Sequence, residues 1–318
     1  MQKKTVCVLG GTGFVGTHLV EKLAEAGYQL RVPTRHPERH RELLVLPHID
    51  LVEADVADDG ALAALLGGCA AAVNLVGILH PRGDDTFQHV HVELPRRLAR
   101  ACKAAGVRRL LHMSALGAHA GGASEYLRSK GRGEDAVHAE ADDKLAVTSF
   151  RPSVIFGPGD HFFEHFAGLL ARAPLLPLPC PQARFAPVFV GDVVGAMVRA
   201  LVLKATCGQR YDLCGPKSYT LLELVEYTAS VLGLKRRIIP LSDAMSRRMA
   251  RLGELAPGRP FTRDNYLSMQ TDAVCSGPFP EVFGITPGAV EALVPYYLGH
   301  QDQRGLYDTY RRQARHEY

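Results

Sequence analysis

The sequence predicts an α/β fold: a doubly wound parallel sheet followed by a smaller C-terminal α+β lobe. Three observations carry this expectation. Short apolar runs alternate with stretches of helical period through the first half, the runs are continuously apolar, and a glycine-rich segment directly follows the first of them. Continuous apolar strands separated by helices indicate a parallel sheet covered on both faces. Right-handed crossovers then build it outward in two directions.

Strands are expected at 5–9, 29–32, 49–53, 71–76, 109–113 and 146–150, with helices at 14–26, 37–45, 60–66, 86–105 and 124–140. After Phe156 the texture changes, because "GPGD" makes a turn and "APLLPLPCPQA" concentrates prolines where no helix can form. A strand at 188–190 and a helix at 192–203 are expected to return to the sheet. The expected division is therefore a nucleotide-binding domain at 1–157, joined again by 186–204, and a substrate or cap lobe at 158–185 and 205–318. That lobe is placed over the carboxyl edge of the sheet, where open α/β sheets bind ligands.

Composition narrows the class. With 318 residues, 47% hydrophobic and 22% charged, the chain is neither disordered nor membrane-saturated. Its seven cysteines (7, 69, 102, 180, 207, 214, 275) are odd in number and lack a CxxC, which argues against a disulfide framework or zinc site and for a reducing compartment. No secretory signal is read at the start, and a cytoplasmic location is expected. The charge-free run 61–79 is long enough to span a bilayer, but Gly67-Gly68 and Asn74 divide it into helix, turn and strand.

The strongest local signal is "VLGGTGFVG". Gly10, Gly13 and Gly16 lie between a strand and a helix, with Thr12, Phe14 and Val15 in the same turn. Missing Cβ atoms let a diphosphate approach the backbone amides, and the helix N-terminus stabilises its charge. At the end of the second strand an Asp or Glu would grip both ribose hydroxyls of NAD(H). This chain has Arg35, whose donor fork suits a 2′-phosphate, so NADP(H) is expected over NAD(H). Asp55, beside Val56 after the third strand, is placed for the adenine amino group or as a helix cap. Asn74, Leu75, Val76 and Gly77 close the fourth strand, where the small Gly77 lets backbone pass near the cofactor.

Taken in order, "GGTGFVG", "NLVGIL", "MSALGA", "YLRSK", "RPSVIFGPGDHFF" and "PVFVGDVV" resemble the atypical extended short-chain dehydrogenase/reductase superfamily. Within it the likeness is to the group of the NADPH-binding accessory subunit of respiratory complex I and its bacterial homologues. The resemblance, over about residues 5–290, implies a Rossmann fold of seven parallel strands with a bound dinucleotide. It also implies catalytic roles for Ser114, Tyr126 and Lys130, with Met113, Pro152, Ser153 and Val154 lining the nicotinamide pocket. Tyr126 and Lys130, four apart, share a helix face. In such a pair the ammonium lowers the phenol's pKa and holds the ribose while the phenol moves a proton. Only twelve positions separate Ser114 from Tyr126, a shorter loop than active members carry.

Other groups have two readings each. Phe156, Phe162 and Phe163 are substrate walls or plain packing. "HFFEH" (His161, Glu164, His165) matches an inverted zinc-peptidase signature, yet no third ligand is identifiable, and His89-x-His91 is weaker still. No metal site is expected. Residues 235–263 hold eight basic and two acidic residues, net +6 in a chain of net +4. Met245, Met249 and Leu252 form a helical stripe in it, read as a peripheral membrane contact, a cap over the substrate, or a core-facing stripe with a solvated basic face. Nucleic acid is disfavoured, since no aromatic residues interleave with the charges. Three functions follow. The first is an NADP(H)-dependent oxidoreductase acting on a small apolar or isoprenoid-like carbonyl or alcohol. The second is a non-catalytic NADPH-loaded structural, assembly or redox-sensing protein able to associate with a respiratory complex. The third is a nucleotide-sugar epimerase or dehydratase. Substrate identity and oligomeric state stay open.

Overall fold

Leucine- and valine-rich runs too short for helices set the course of the chain, and the computed structural model describes residues 4–256 and 260–298. In order, its elements are β1 (Thr5–Leu9), α1 (Phe14–Glu25), β2 (Gln29–Thr34), β3 (Ile49–Glu53), α2 (Asp59–Leu66), β4 (Ala71–Asn74), α3 (Leu94–Ala104), β5 (Arg109–Met113), α4 (Glu125–Ala139) and β6 (Ala146–Pro152). There follow β7 (Ile155–Phe156), α5 (Phe163–Arg172), β8 (Leu175–Leu178), β9 (Arg184–Phe185), β10 (Val188–Phe189), α6 (Val190–Ala200) and β11 (Arg210–Leu213). The last are β12 (Tyr219–Thr220), α7 (Leu221–Val231), β13 (Arg237–Pro240), α8 (Asp243–Gly253), α9 (Arg263–Ser268) and α10 (Val290–Leu298).

The chain divides into two units. The first comprises Met1–Ser153, Val190–Cys214 and Cys275–Thr286. Its seven strands run parallel in the order β11-β6-β5-β4-β1-β2-β3, so the winding direction reverses between β1 and β4. One core cluster includes Cys7, Leu9, Leu62, Leu66, Leu98, Cys102, Leu110 and Val147. Asp58 and Ser124 cap α2 and α4 by accepting from the amides of Ala61 (2.6 Å) and Leu127 (3.1 Å). The run 61–79 is helix, turn and strand, and among the described residues no helix is long and apolar enough to cross a membrane.

Several expectations are corrected. The seventh strand is Arg210–Leu213, a strand expected within the lobe at 205–318; it pairs in parallel with β6 at the edge of the main sheet. Val188–Phe189 does not return to the sheet but pairs with Ile155–Phe156. Residues 37–45 form two 3₁₀ turns, Pro37–Arg39 and Arg41–Val45, in place of one helix. The stretch before α3 is a π-helical turn, Gln88–Glu93. Cys214 and Cys275 form a disulfide across 61 residues, against the expectation of none. A pairing so distant leaves no spacing pattern, and the bond ties the segment Cys275–Thr286 to the end of β11.

The second unit, Val154–Phe189, Gly215–Val274 and Pro287–Tyr318, contains three two-stranded sheets: β7 with β10, β8 with β13, and β9 with β12. Proline-rich Leu175–Leu178 is thus an edge strand. Phe156 and Phe163 are fully buried in the core with Leu170, Leu221, Val225 and Val294, so packing accounts for them; Phe162 packs against the same cluster. Tyr297 donates to Asp160 at 2.6 Å. The core-facing reading of the stripe holds for Met249, which packs against Ala250, Phe261 and Tyr266, but not for the exposed Met245 and Leu252; α8 buries Ser246, Ala250 and Gly253. Arg259 of the basic stretch lies outside the described residues.

In the first unit, Arg109 is buried at the start of β5 and closes the carboxyl end of α6. Its guanidinium donates to Ala200 O (3.0 Å), Thr148 Oγ1 (2.6 Å) and Thr206 Oγ1 (2.7 Å). Arg109→Ala removes the charged donor from the Ala200 carbonyl and two threonine hydroxyls. It is expected to lower stability by about 3 kcal/mol or more, read as a reduced urea midpoint with an unchanged slope.

Candidate functional site

The candidates of the first unit lie at or just past the carboxyl ends of strands, except Gly16, on α1, and Tyr126 and Lys130, on α4. Gly10 to Gly16 join β1 to α1, whose N-cap is Gly13, and the first turn of that helix carries no acidic side chain. A glycine cap has no side chain to accept from the first-turn amides, so the helix end keeps its positive pole for an anion. Gly16 must stay small, because a Cβ there would lie 2.1 Å from the Gly10 carbonyl. Thr12, Phe14 and Val15 are half-buried around the same turn. The loop also approaches the end of β4: Leu75 N donates to Leu9 O at 3.0 Å, and a Gly10 Cβ would meet Leu75 C and Val76 N at 3.1 Å.

Arg35 follows β2 directly and is exposed, with Nη1 3.7 Å from Asp85 Oδ2 in a loose surface pair worth little. Asp55 does not cap α2, a role held by Asp58; its Oδ1 accepts from Ala57 N at 2.9 Å, and Val56 beside it is half-buried.

The ends of β4 and β5 carry a polar cluster the sequence reading saw only in part. Asn74, fully buried, donates through Nδ2 to His112 Nδ1 (3.2 Å) and accepts from Val76 N (3.2 Å). Burial, with Lys130 close by, holds His112 neutral, well below the ordinary imidazole range. Its proton therefore sits on Nε2, an atom without a protein partner. Ser114 is also buried, and its Oγ has no partner among the described residues. An orphaned buried hydroxyl usually awaits a ligand or water.

Lys130, on α4, is buried and donates to Met113 O at 2.6 Å. Burial pulls its ammonium down to about 8, partly countered by Glu134. Tyr126, one turn earlier, is half-buried between Phe87 and His91, with ring centroids at 6.3 and 5.6 Å, and burial pushes its phenol up to about 12. His91, set aside above as half of a weak metal pair, positions this helix. Ile78 N–H donates to His91 Nε2 (3.0 Å), which leaves the proton on Nδ1 to reach Ser129 Oγ (2.9 Å), and Ser129 Oγ–H reaches Tyr126 O (2.9 Å). Burial, then Lys130, lowers the imidazole to about 3. The π-helical turn can lie this close to α4 only because residue 133 is glycine, where a Cβ would fall within 1.7 Å of His91 O. A Cβ on Gly77 would stand 3.6 Å from His91 Nε2 and 3.7 Å from Lys130 Nζ, so backbone, imidazole and ammonium share one small space. Glu134, fully buried, accepts from Arg151 (2.9 Å) and pairs with Arg210 (3.1 Å), pinning α4 to β6 and β11.

The short Ser114–Tyr126 loop is closed by Leu116 N to Pro152 O (2.9 Å) and Gly122 N to His119 O (2.8 Å). Buried Pro152 and Ser153 end β6, Ser153 N donating to Leu213 O at 3.0 Å. Val154 falls in the second unit, where its carbonyl accepts from Val188 N. His161 precedes α5 and Glu164 accepts from Gly159 N at 2.7 Å, so "HFFEH" does not present two imidazoles on one helical face. His89 is exposed and bonded to Asp84 O, apart in environment from buried His91.

A doubly wound parallel sheet with a glycine-lined helix start at its switch point, and a buried Lys held at the end of a central strand, defines a nucleotide-binding class of protein. The chain belongs to the NAD dependent epimerase/dehydratase family, whose model matches residues 6–214, and within it to the extended short-chain dehydrogenase/reductases. It is 30% identical over 296 residues to NADH dehydrogenase [ubiquinone] 1 alpha subcomplex subunit 9 of Rattus norvegicus, covering 89% of this chain and 77% of that protein. It is 34% identical over 246 residues to the ceramide reductase of Caulobacter vibrioides, covering 75% and 74%. The crystal structure of gox2253 superposes with a TM-score of 0.74 at 22% identity, covering 95% of this chain and 99% of that one. MoeE5 in complex with UDP-glucuronic acid and NAD gives 0.64 at 23% identity, covering 75% and 85%; both likenesses bear on the fold.

The depressed Lys130 makes stability depend on alkaline pH. The unfolded lysine holds its proton up to about 10.5 and the folded one only to about 8, so between these values the unfolded state binds more protons and stability rises with pH. Relative to Lys130→Met, the wild-type chain is expected to gain up to about 3 kcal/mol from pH 8 to 10.5, measured by denaturant titrations of both at each pH.

Proposed function

We propose that the chain is an NADP(H)-dependent short-chain reductase acting on a carbonyl carried by an apolar molecule. The observation that carries this reading is the buried Ser114 hydroxyl without a protein partner, at the end of the strand whose Met113 carbonyl holds Lys130. The nicotinamide, when bound, supplies or takes up the hydride. The chain's own groups do the rest. The amides after Gly13 hold the diphosphate, Lys130 fixes the ribose, Ser114 Oγ hydrogen-bonds the substrate oxygen, and Tyr126 transfers its proton there. Burial pushes the Tyr126 phenol up to about 12 without the lowering by Lys130 that the Tyr/Lys pairing implied, so the phenol is protonated near neutrality and starts as the proton donor. Arg35 supports NADP(H), because its loose pairing with Asp85 leaves a guanidinium that a 2′-phosphate can take over. Val154 and Pro152 are assigned to the pocket on the resemblance alone. The relative named ceramide reductase supports an apolar, lipid-like substrate.

A second reading, a cofactor-loaded assembly protein without turnover, is favoured by the 30% identity to a complex I subunit across most of the chain. The epimerase reading draws on the family model over 6–214, and the solved neighbours at 23% identity or less speak for the fold alone. Two variants separate these. With NADPH and a long-chain carbonyl substrate, Tyr126→Phe is expected to lower kcat by about 100-fold or more while KM for NADPH stays within a few-fold. Arg35→Asp is expected to raise KM for NADPH about tenfold or more and lower that for NADH. Firm NADPH binding without turnover of any carbonyl would support the assembly reading, and a lower KM for NADH in the wild type would overturn the preference.

A further inference from the structure

Helix α8 of the second unit is docked by its small residues. Ser246, Ala250 and Gly253 are buried against a cluster that includes Phe261 and Tyr266. Ser246 Oγ accepts from Cys180 N (3.0 Å) and donates to Ser242 O (3.0 Å). At Gly253 a Cβ would lie 2.1 Å from Phe261 O, so the helix cannot turn a larger residue inward there. Tyr266 Oη donates to Asp243 at 2.6 Å and fixes the start of the helix from the same side.

Of the large apolar side chains, Met249 packs against that cluster and the others face out. Met245, Leu252 and Leu255, the last just beyond the helix end, are 52%, 69% and 84% exposed. At roughly 100° per residue, Leu252, Arg248 and Arg251 follow Met245 within roughly 120° of arc, whereas Asp243 and Glu254 fall roughly 160–180° away. Those acids are engaged by Arg247 and Arg263. Among the described residues, Arg248 and Arg251 form no ion pair. The β8–β13 ribbon that leads into the helix exposes Leu175, Arg237 and Ile239 on one face. A fold that buries Ser, Ala and Gly while exposing Met, two Leu and two unneutralised Arg on one arc is arranged for contact with something outside itself.

We infer that this face of α8 rests on an anionic lipid bilayer, with Met245, Leu252 and Leu255 in the acyl boundary and Arg248 and Arg251 at the headgroup phosphates. Charge complementarity commits it to that occupant. A protein partner would need acids matched to two arginines within an apolar contact, whereas an anionic membrane offers apolar depth and phosphate together at one plane. The inference stands whether or not the chain turns over a substrate.

The chain contains no Trp, so Leu252→Trp introduces a single indole as reporter. With vesicles of phosphatidylglycerol and phosphatidylcholine, its emission is expected to shift to the blue and to be quenched by brominated acyl chains, with neither effect on pure phosphatidylcholine. In cosedimentation of the otherwise unaltered chain, Arg248→Ala with Arg251→Ala is expected to lower partitioning about tenfold or more, as is Leu252→Gln with Leu255→Gln. All these sites are exposed, so thermal midpoints should not move. Unchanged emission on anionic vesicles would overturn the inference. A blue shift that grows with protein concentration in the absence of lipid would also overturn it, in favour of a second copy of the chain.

Discussion

The start of α1 is the constraint on which the rest depends. A helix that begins on glycine gives up the side-chain cap that Ser or Asp would supply, at a cost of roughly a few tenths of a kcal/mol. It also leaves its positive pole uncompensated, since no acid occupies the first turn. Gly16 cannot be enlarged without striking the Gly10 carbonyl, so the close turn is fixed by the same residues that leave the helix end open. Because β1 is central and the winding reverses beside it, this turn stands next to the ends of β4 and β5, which carry Asn74, Gly77, Met113 and Ser114. The anion-ready helix start and the polar cluster are thus consequences of one topology.

The cluster is costly to hold. Three imidazoles, His91, His112 and His138, are kept neutral by burial, and an ammonium is drawn into the same interior. The arrangement persists because each proton has an assigned place. Ile78 fixes the tautomer of His91, Asn74 that of His112, and Met113 O receives Lys130. Glu134, held by two arginines, carries the compensating charge one turn along α4. Ser114 Oγ and His112 Nε2 stand outside this economy of partners, which is why the reading of the site turns on them.

The centre of the sheet was legible because parallel strands buried on both faces read as apolar runs, and β1, β4 and β5 fall where that pattern places them. The strand β11 was legible at Arg210–Leu213, but its place was not, because the pairing with β6 joins residues far apart in sequence that no local window contains. The small sheets of the second unit depend on pairings such as Leu175 with Arg237, which no local window contains. At the site, spacing exposed Gly10, Gly13, Gly16, Tyr126 and Lys130, while His91 was discounted because its role rests on Ile78 and Ser129, distant in sequence. The orientation of α8 inverted the hydrophobic pattern: close approach to Phe261 selected the smallest residues for the buried face, and steric fit outweighed apolar area.

The account rests on a diphosphate bound at the amides after Gly13. Calorimetric titration of the purified full chain, first stripped of any dinucleotide, tests it most directly. One NADPH per chain, bound more tightly than NADH and lost when Gly16 is replaced by Val in a variant that still unfolds cooperatively, is the predicted result. No heat with either dinucleotide would contradict the account, as would binding that survives Gly16→Val unchanged.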